Sequence, residues 1–379
     1  MQGFGAMLCQ TKDGDPRDSR DGSSGSPFRG VDFDATERHR YFALQPILSQ
    51  SKRIIGCEAL FRSGWENFFD GDSDTATRIM IDNWLLYGFE DLNGPNLTFL
   101  NCTREALLSG LLTLLPRWAV LEILETVEPD DEVLRACRKL KKMGYLFSLD
   151  DFESSERMEE FLELADFIKI DFRLSGPEDR ARLLVRLRKT KAILIAEKIE
   201  TEEEFRWAKW EGFQLFQGYY FREQASFAMT REPVNEANGL RILETLSQPG
   251  FAVSQLLDLI CLEPGLGCRL LRRANWEAAT GTPINTYREA LKVVGKNEFR
   301  KLVMLALLAD TKSWEDLPLG IAQYGDLANL MRGSQHGYAK SNLSRNLEIL
   351  RTESKPASGR KVLEMPSWVQ KTRNQRPVS

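Results

Sequence analysis

Seven apolar runs in the first two-thirds of the chain, IIGCEALFR, LTFLNCT, AVLEILET, YLFSLDDF, FIKID, AILIAEKIE and QLFQGYYF, each carry a polar residue at or near their end. Those residues are Glu58, Asn101, Glu122, Asp150 with Asp151, Lys169, Glu197 and Gln217. Helical periodicity fills most of the gaps between the runs. The pattern therefore predicts alternating strands and helices, in a barrel or open α/β sheet whose polar strand ends gather at one face. In a barrel, residues far apart in sequence converge at the carboxyl ends of the strands. Oxygen-bearing groups, a lysine and a further glutamate meeting there suit a hard divalent cation and a phosphate ester. One acidic residue at a strand end is usually a turn former or a helix cap, but an ordered series of them is harder to explain that way. Asp150 and Asp151 are the most telling, because adjacent carboxylates repel unless a cation or hydrogen-bond donors compensate. Taken alone, that pair also suits the cap of a helix beginning near Ser154.

The ordered set resembles the EAL domain of bacterial cyclic di-GMP phosphodiesterases, over about Tyr41 to Phe221. Glu58-Ala59-Leu60 is the eponymous motif, with Arg62 after it, and Gln45-Pro46-Ile47 looks like the opening strand. Asn101 in FLNCT, the glutamates Glu122 and Glu125 of LEILET, Asp150-Asp151-Phe152, Lys169 in KID, Glu197 in AEKIE and Gln217 in QGYYF follow in the family's order. The resemblance implies a TIM-like (β/α) barrel in which Glu58, Asn101, Glu122 and Asp150 hold Mg²⁺ or Mn²⁺ and Asp151 serves a second ion. It also implies Glu197 as general base, Lys169 as the cation offsetting charge on the attacked phosphate, and Gln45, Arg62 and Gln217 as substrate contacts. Glu125 would support a loop, and the product would be linear pGpG. The chain departs from the family after the aspartate pair, reading Glu153-Ser154-Ser155 where members usually carry a glycine-rich loop. Glu153 removes backbone freedom and adds negative charge beside the metal ligands. An active phosphodiesterase and a noncatalytic cyclic di-GMP sensor therefore both stay open.

From about Glu236 the pattern becomes continuously helical, with no strand signal. Glu263-Pro264-Gly265-Leu266, the run Arg269-Leu270-Leu271-Arg272-Arg273-Ala274-Asn275, Ala290-Leu291 and Val293-Val294-Gly295 resemble the HDOD domain. The pairing looks like a small two-domain signalling family. Neither His39 nor His336 is followed by aspartate, so the HD metal pair of the ancestral phosphohydrolases is absent. The helical part then reads as a docking or regulatory module, or more plainly as a bundle that caps the barrel. If both halves are degenerate, the chain is an interaction scaffold. Apolar density falls after Leu330, which reads as an incomplete module. FRKLVMLALL, Phe299 to Leu308, is therefore expected to expose an apolar face that a second copy or a signalling protein would cover.

The expected organisation is a disordered segment over 1–38, the EAL domain over 39–232, the HDOD-like region over 233–332 and a polar, mildly basic tail over 333–379. A formal net charge of -4 gives no case for nonspecific nucleic-acid binding. No run is apolar and long enough to span a membrane and no signal-peptide pattern is present, so cytoplasm is the expected location. The six cysteines lack CxxC spacing, which argues against a zinc site or a disulfide framework.

Overall fold

Successive side chains of a strand point to opposite faces, so strands apolar on both faces need an interior and an outer helical coat at once. The chain solves this with a closed barrel. The computed structural model describes residues 39–64, 72–94, 96–152, 156–221, 225–278 and 282–309. The expected disordered amino segment, Glu153 with Ser154, His336 and the polar tail lie outside them.

The barrel strands are β1 (His39–Ser49), β2 (Ile54–Arg62), β3 (Leu97–Cys102), β4 (Ala119–Ile123), β5 (Leu146–Leu149), β6 (Phe167–Asp171), β7 (Ile193–Glu197) and β8 (Leu215–Phe216). β2 to β8 run parallel in chain order, and β1 closes the ring by pairing antiparallel with both β2 and β8. β9 (Ala225–Thr230) adds antiparallel to the first half of β1.

Inside the barrel, Ile47, Leu97, Phe99, Val120, Leu146, Phe167, Ile193, Ile195 and Leu215 form a compact apolar plug. A step of two residues along a strand keeps a side chain on the same face. Two positions beyond that plug, the inward side chains become Gln45, Asn101, Glu122, Lys169, Glu197 and Gln217, with Asp150 following the inward Ser148 of β5. The polar layer is thus the next storey of the apolar one. The alternate positions, Leu100, Leu121, Phe147, Ile168 and Ala196 among them, pack outward against the helices.

The outer helices of the barrel are α1 (Ser73–Tyr87), α2 (Phe89–Asn93), α3 (Arg104–Ser109), α4 (Asp131–Lys142), α5 (Pro177–Leu187) and α6 (Glu202–Glu211). α6 starts four residues after Lys198, and a capping box fixes that start: Thr201 Oγ1 accepts from the Glu204 amide, while the Glu204 side chain accepts from the Thr201 amide.

After β9 the described residues are helical: α7 (Glu236–Ser247), α8 (Val253–Cys261), α9 (Pro264–Glu277) and α10 (Tyr287–Leu308). Gly295 interrupts α10 with φ 78°, a conformation that suits glycine. This helical region shares one continuous core with the outer face of the barrel. At the junction Asp82 of α1 is fully buried between two guanidiniums. Arg269 of α9 grips it with a fork of two bonds at 2.6 Å, and Arg40 of β1 donates to the same carboxylate. Burial alone would raise the Asp82 carboxyl, yet Arg269 and Arg40 hold it below the usual carboxylate range. Beside this clamp, Arg272 pairs with Glu90 and Asp91 of α2. Trp84 and Trp276 both donate their indole N–H to Glu90. Lys301 of α10 donates to Glu298 and to Thr113, on the loop between α3 and β4.

The expectation that FRKLVMLALL exposes an apolar face is overturned. Phe299, Leu302, Val303, Met304, Leu305 and Leu308 are all buried. Their cover includes chain that comes earlier in the sequence: Leu307 sits so close to Gly239 of α7 that an added Cβ there would lie 2.7 Å from it.

Two stability outcomes follow. Asp82→Ala leaves two guanidiniums buried without their counter-charge, and urea unfolding should register a loss of about 3–5 kcal/mol. Leu305→Ala should cost about 2–5 kcal/mol in the same measurement, with no change in molecular mass by light scattering, because the side chain belongs to this chain's own core.

Candidate active site

The polar storey of the barrel is organised around one ammonium. Lys169 Nζ lies 3.1 Å from Glu58 Oε2, 2.9 Å from Glu122 Oε1, 3.1 Å from Asp150 Oδ1 and 2.7 Å from Glu197 Oε1. The lysine is all but fully buried, as are Glu58, Glu122 and Glu197. Gln217 donates to Glu58 Oε2 at 2.6 Å, Asn101 approaches Glu58 Oε1 at 3.5 Å, and Ser148 donates to Glu122 Oε1 at 3.2 Å. Gln45 stands directly opposite Glu58 in the β1–β2 register and so shares its face.

Gln217 reaches this position because Gly218 lets two backbone segments touch. Gly218 has φ 148°, and a Cβ on it would fall 2.2 Å from the Ile199 carbonyl oxygen. The Ile199 amide donates to the Gln217 carbonyl at 3.0 Å, tying the end of β8 to the loop after Glu197.

Four acids share one lysine, and the titration of Glu122 and Glu197 reflects their burial beside it. Desolvation raises Glu122 well above the ordinary carboxylate range, and the charges of Glu58, Asp150 and Glu197 add to the effect against the pull of Lys169. Glu197 is pushed up to about 8, by burial first and then by Asp150 and Glu58. Burial works against the charged form of Lys169, but the surrounding carboxylates raise its pKa well above the ordinary lysine value.

Asp151 stands outside the lysine's circle. Its backbone has φ 38°, in the left-handed region. Burial and the neighbouring Asp150 raise its carboxyl. Ligand oxygens of Asp150, Asp151 and Glu197 lie within 4.8 Å of one another, spacing that suits a metal ion. Several buried oxygens of the layer, Asn101 Oδ1, Glu122 Oε2, Asp151 Oδ1 and Gln217 Oε1, have no hydrogen-bond partner. Buried acceptors without donors are costly, and a hard cation is the kind of group that oxygen donors of this type satisfy.

The structure thus brings Gln45, Glu58, Asn101, Glu122, Asp150, Asp151, Lys169, Glu197 and Gln217 to one end of the barrel. Arg62 ends β2, and its guanidinium donates to the Phe61 carbonyl at 2.9 Å. Glu125 is exposed in the turn after β4, and no described hydrogen bond or ion pair ties it to the lysine cluster. Two charged residues of the site escaped the sequence reading. Asp171, two positions past Lys169, is buried beside Glu197 in the β6–β7 register. Lys198 lies 2.6 Å from Asp171 Oδ2 and 3.6 Å from Asp151 Oδ2. The two-residue spacing in KID was the available signal for Asp171; Lys198 had none.

A raised carboxyl favours the fold while it keeps its proton. The contribution of Glu197 is fully present below the ordinary value of 4.5 and is lost as pH rises through about 8. In chelator, the melting temperature should therefore fall as pH is raised from 5 to 8, roughly the window between those two values, and fall less in Glu197→Gln. Equal slopes for the two proteins would contradict this origin.

Residues 96–224 match the EAL domain family and residues 235–333 match the HDOD domain family. The chain is 33% identical over 289 residues to the cyclic di-GMP phosphodiesterase CdgJ of Vibrio cholerae, covering 74% of this chain and 67% of that protein. It is 29% identical over 280 residues to the uncharacterized protein YuxH of Bacillus subtilis, covering 71% of this chain and 68% of that protein. The chain thus spans about two thirds of the length of these relatives. Among solved structures, an EAL domain protein from Listeria monocytogenes aligns at 19% identity and a TM-score of 0.43, over 51% of this chain and 91% of that one. The manganese and cyclic di-GMP complex of Klebsiella pneumoniae BlrP1 aligns at 23% identity and a TM-score of 0.41, over 52% of this chain and 64% of that one. With its matched regions in this order and a relative of the same family at 33% identity, the chain belongs to the family in which an EAL domain is followed by an HDOD domain.

Proposed function

We propose that this protein hydrolyses cyclic di-GMP to linear pGpG with a divalent cation, Mg²⁺ or Mn²⁺, and that its helical region serves as a regulatory or docking module. The observation that carries this reading is the oxygen-rich layer around Lys169, in which buried acceptors of Asn101, Glu122, Asp151 and Gln217 lack donors. Family membership supports the substrate class, because the relative CdgJ is named a cyclic di-GMP phosphodiesterase.

In this reading Glu58, Asn101, Glu122 and Asp150 hold the cation, with Asp151 as a further oxygen donor beside them. When bound, the cation lowers the pKa of water and neutralises charge on a phosphoryl oxygen. Glu197 accepts the proton of the attacking water from its ionised form, which the Lys169 ammonium beside it favours. The water oxygen bonds to phosphorus as the bond to the 3′ oxygen breaks, and that oxygen leaves and takes up a proton from solvent. Lys169 stays charged throughout and offsets negative charge gathering on the phosphoryl group. Gln45, Arg62 and Gln217 orient phosphate or guanine by hydrogen bonds, and a guanidinium suits the phosphate geometrically.

A second reading, a sensor that binds the dinucleotide without cleaving it, is favoured by Glu153, whose charge follows the aspartate pair in sequence. Incubating the purified protein with cyclic di-GMP and Mn²⁺, scored for binding and for pGpG, separates the two. If pGpG forms, Glu197→Gln should lower turnover by about 10²–10⁴-fold with dinucleotide binding retained. Asp150→Asn should remove most Mn²⁺ binding by calorimetry while leaving the melting curve in place.

A further inference from the structure

Lys169 attends to Glu58, Glu122, Asp150 and Glu197, and none of its ion pairs reaches Asp151. Among the described residues, the cation paired with Asp151 is Lys198, on the loop leaving β7. Its position is built rather than incidental. Lys198 has φ 55°, and Asp151 opposite it has φ 38°, so two non-glycine residues hold left-handed backbone across from one another. Such conformations persist where the surrounding structure over-determines them. The surroundings here do so: Ile199 is bonded to the Gln217 carbonyl, and the capping box at Thr201 fixes the chain on the far side.

The ammonium itself is anchored from below. Lys198 Nζ lies 2.6 Å from Asp171 Oδ2, while the other Asp171 oxygen accepts the amides of Arg173 and Leu174 at 2.8 and 2.9 Å. Asp171 is buried, so the lysine is held by a wall residue that cannot swing away. From that anchor the ammonium reaches within 3.6 Å of Asp151 Oδ2, beside the grouping of Asp150, Asp151 and Glu197 oxygens that has metal spacing. A second divalent cation shared by Asp150 and Asp151 would have to sit against this tethered positive charge or expel it.

We propose that Lys198 acts as a built-in counter-ion for Asp151, so that the site takes one divalent cation where its carboxylates could otherwise hold two. This rests on the metal-dependent reading above, with Lys198 in the place of a second ion. Lys198 is half exposed, and an ordinary surface lysine at this point would leave metal binding unchanged when replaced. The role proposed here therefore predicts something that a solvated lysine does not.

The test is Mn²⁺ titration of the full chain without nucleotide, counting bound ions by electron paramagnetic resonance. The unmutated protein is expected to bind one ion. Lys198→Gln and Lys198→Gly, the second of which also suits the left-handed backbone, are expected to bind two, with the affinity for the second raised at least about tenfold. Lys198→Arg, which keeps the charge, should stay at one. Two ions of similar affinity in the unmutated protein, or one ion in every variant, would overturn the role of Lys198 while leaving a metal site in place. No bound Mn²⁺ in any of the proteins would overturn the metal-dependent reading itself, and the counter-ion with it.

Discussion

Lys169 Nζ stands 2.7 to 3.1 Å from four carboxylates in the interior of a barrel, and the polar storey depends on that ammonium. Like charges a few ångströms apart repel by about 4 kcal/mol per pair at the effective dielectric of a partly shielded site. Burial raises the proton affinity of Glu122 and Glu197, and because one lysine cannot neutralise four acids the neighbouring carboxylates raise it further. The same imbalance is what makes the layer useful. Carboxyls that hold protons near neutral pH are groups that exchange them, and acceptors left without donors are groups that a hard cation can satisfy.

Below that layer the barrel supplies rigidity from simple parity. The residues that face inward are every second one, so Phe99 leads to Asn101, Val120 to Glu122, Phe167 to Lys169, Ile195 to Glu197 and Leu215 to Gln217. Each of these five polar side chains stands one storey above an apolar side chain of its own strand, and the packing of that plug holds them in register. This is why the barrel, and the convergence of most of the named residues at one end of it, were legible in the sequence: apolar runs with a polar residue at the same phase leave few other solutions.

Parity leaves other features of the site unresolved. Asp171 is in phase with Lys169, yet a strand-end aspartate that caps a turn looks the same in sequence, and Asp171 does accept turn amides from Arg173 and Leu174. Lys198 depends on a backbone angle, and φ 55° at a lysine has no sequence signature. Asp82 and Arg269 lie 187 positions apart within apolar helices, and only the folded chain brings them together. The misreading of FRKLVMLALL has a different cause. Cover for that helix was sought in the chain that follows it, whereas Gly239 and the loop at Thr113 come before it.

The buried clamp at Asp82 also limits how the helical region can influence the barrel. α1 carries Asp82 under Arg269, and one and a half turns earlier it carries Thr77, whose hydroxyl donates to the Asn101 carbonyl at 3.1 Å. Five residues of helix span roughly 7 Å and do not bend without a defect. A partner of the helical region changes the site only if it binds two positions of α9 with different affinity, since a ligand indifferent to the two leaves their populations alone. Any such difference would pass through the Arg269 fork to α1 and so to the strand that presents Asn101. If such coupling exists, linkage makes it reciprocal, so that whatever orders Asn101 in the site would bias the helical region by the same free energy.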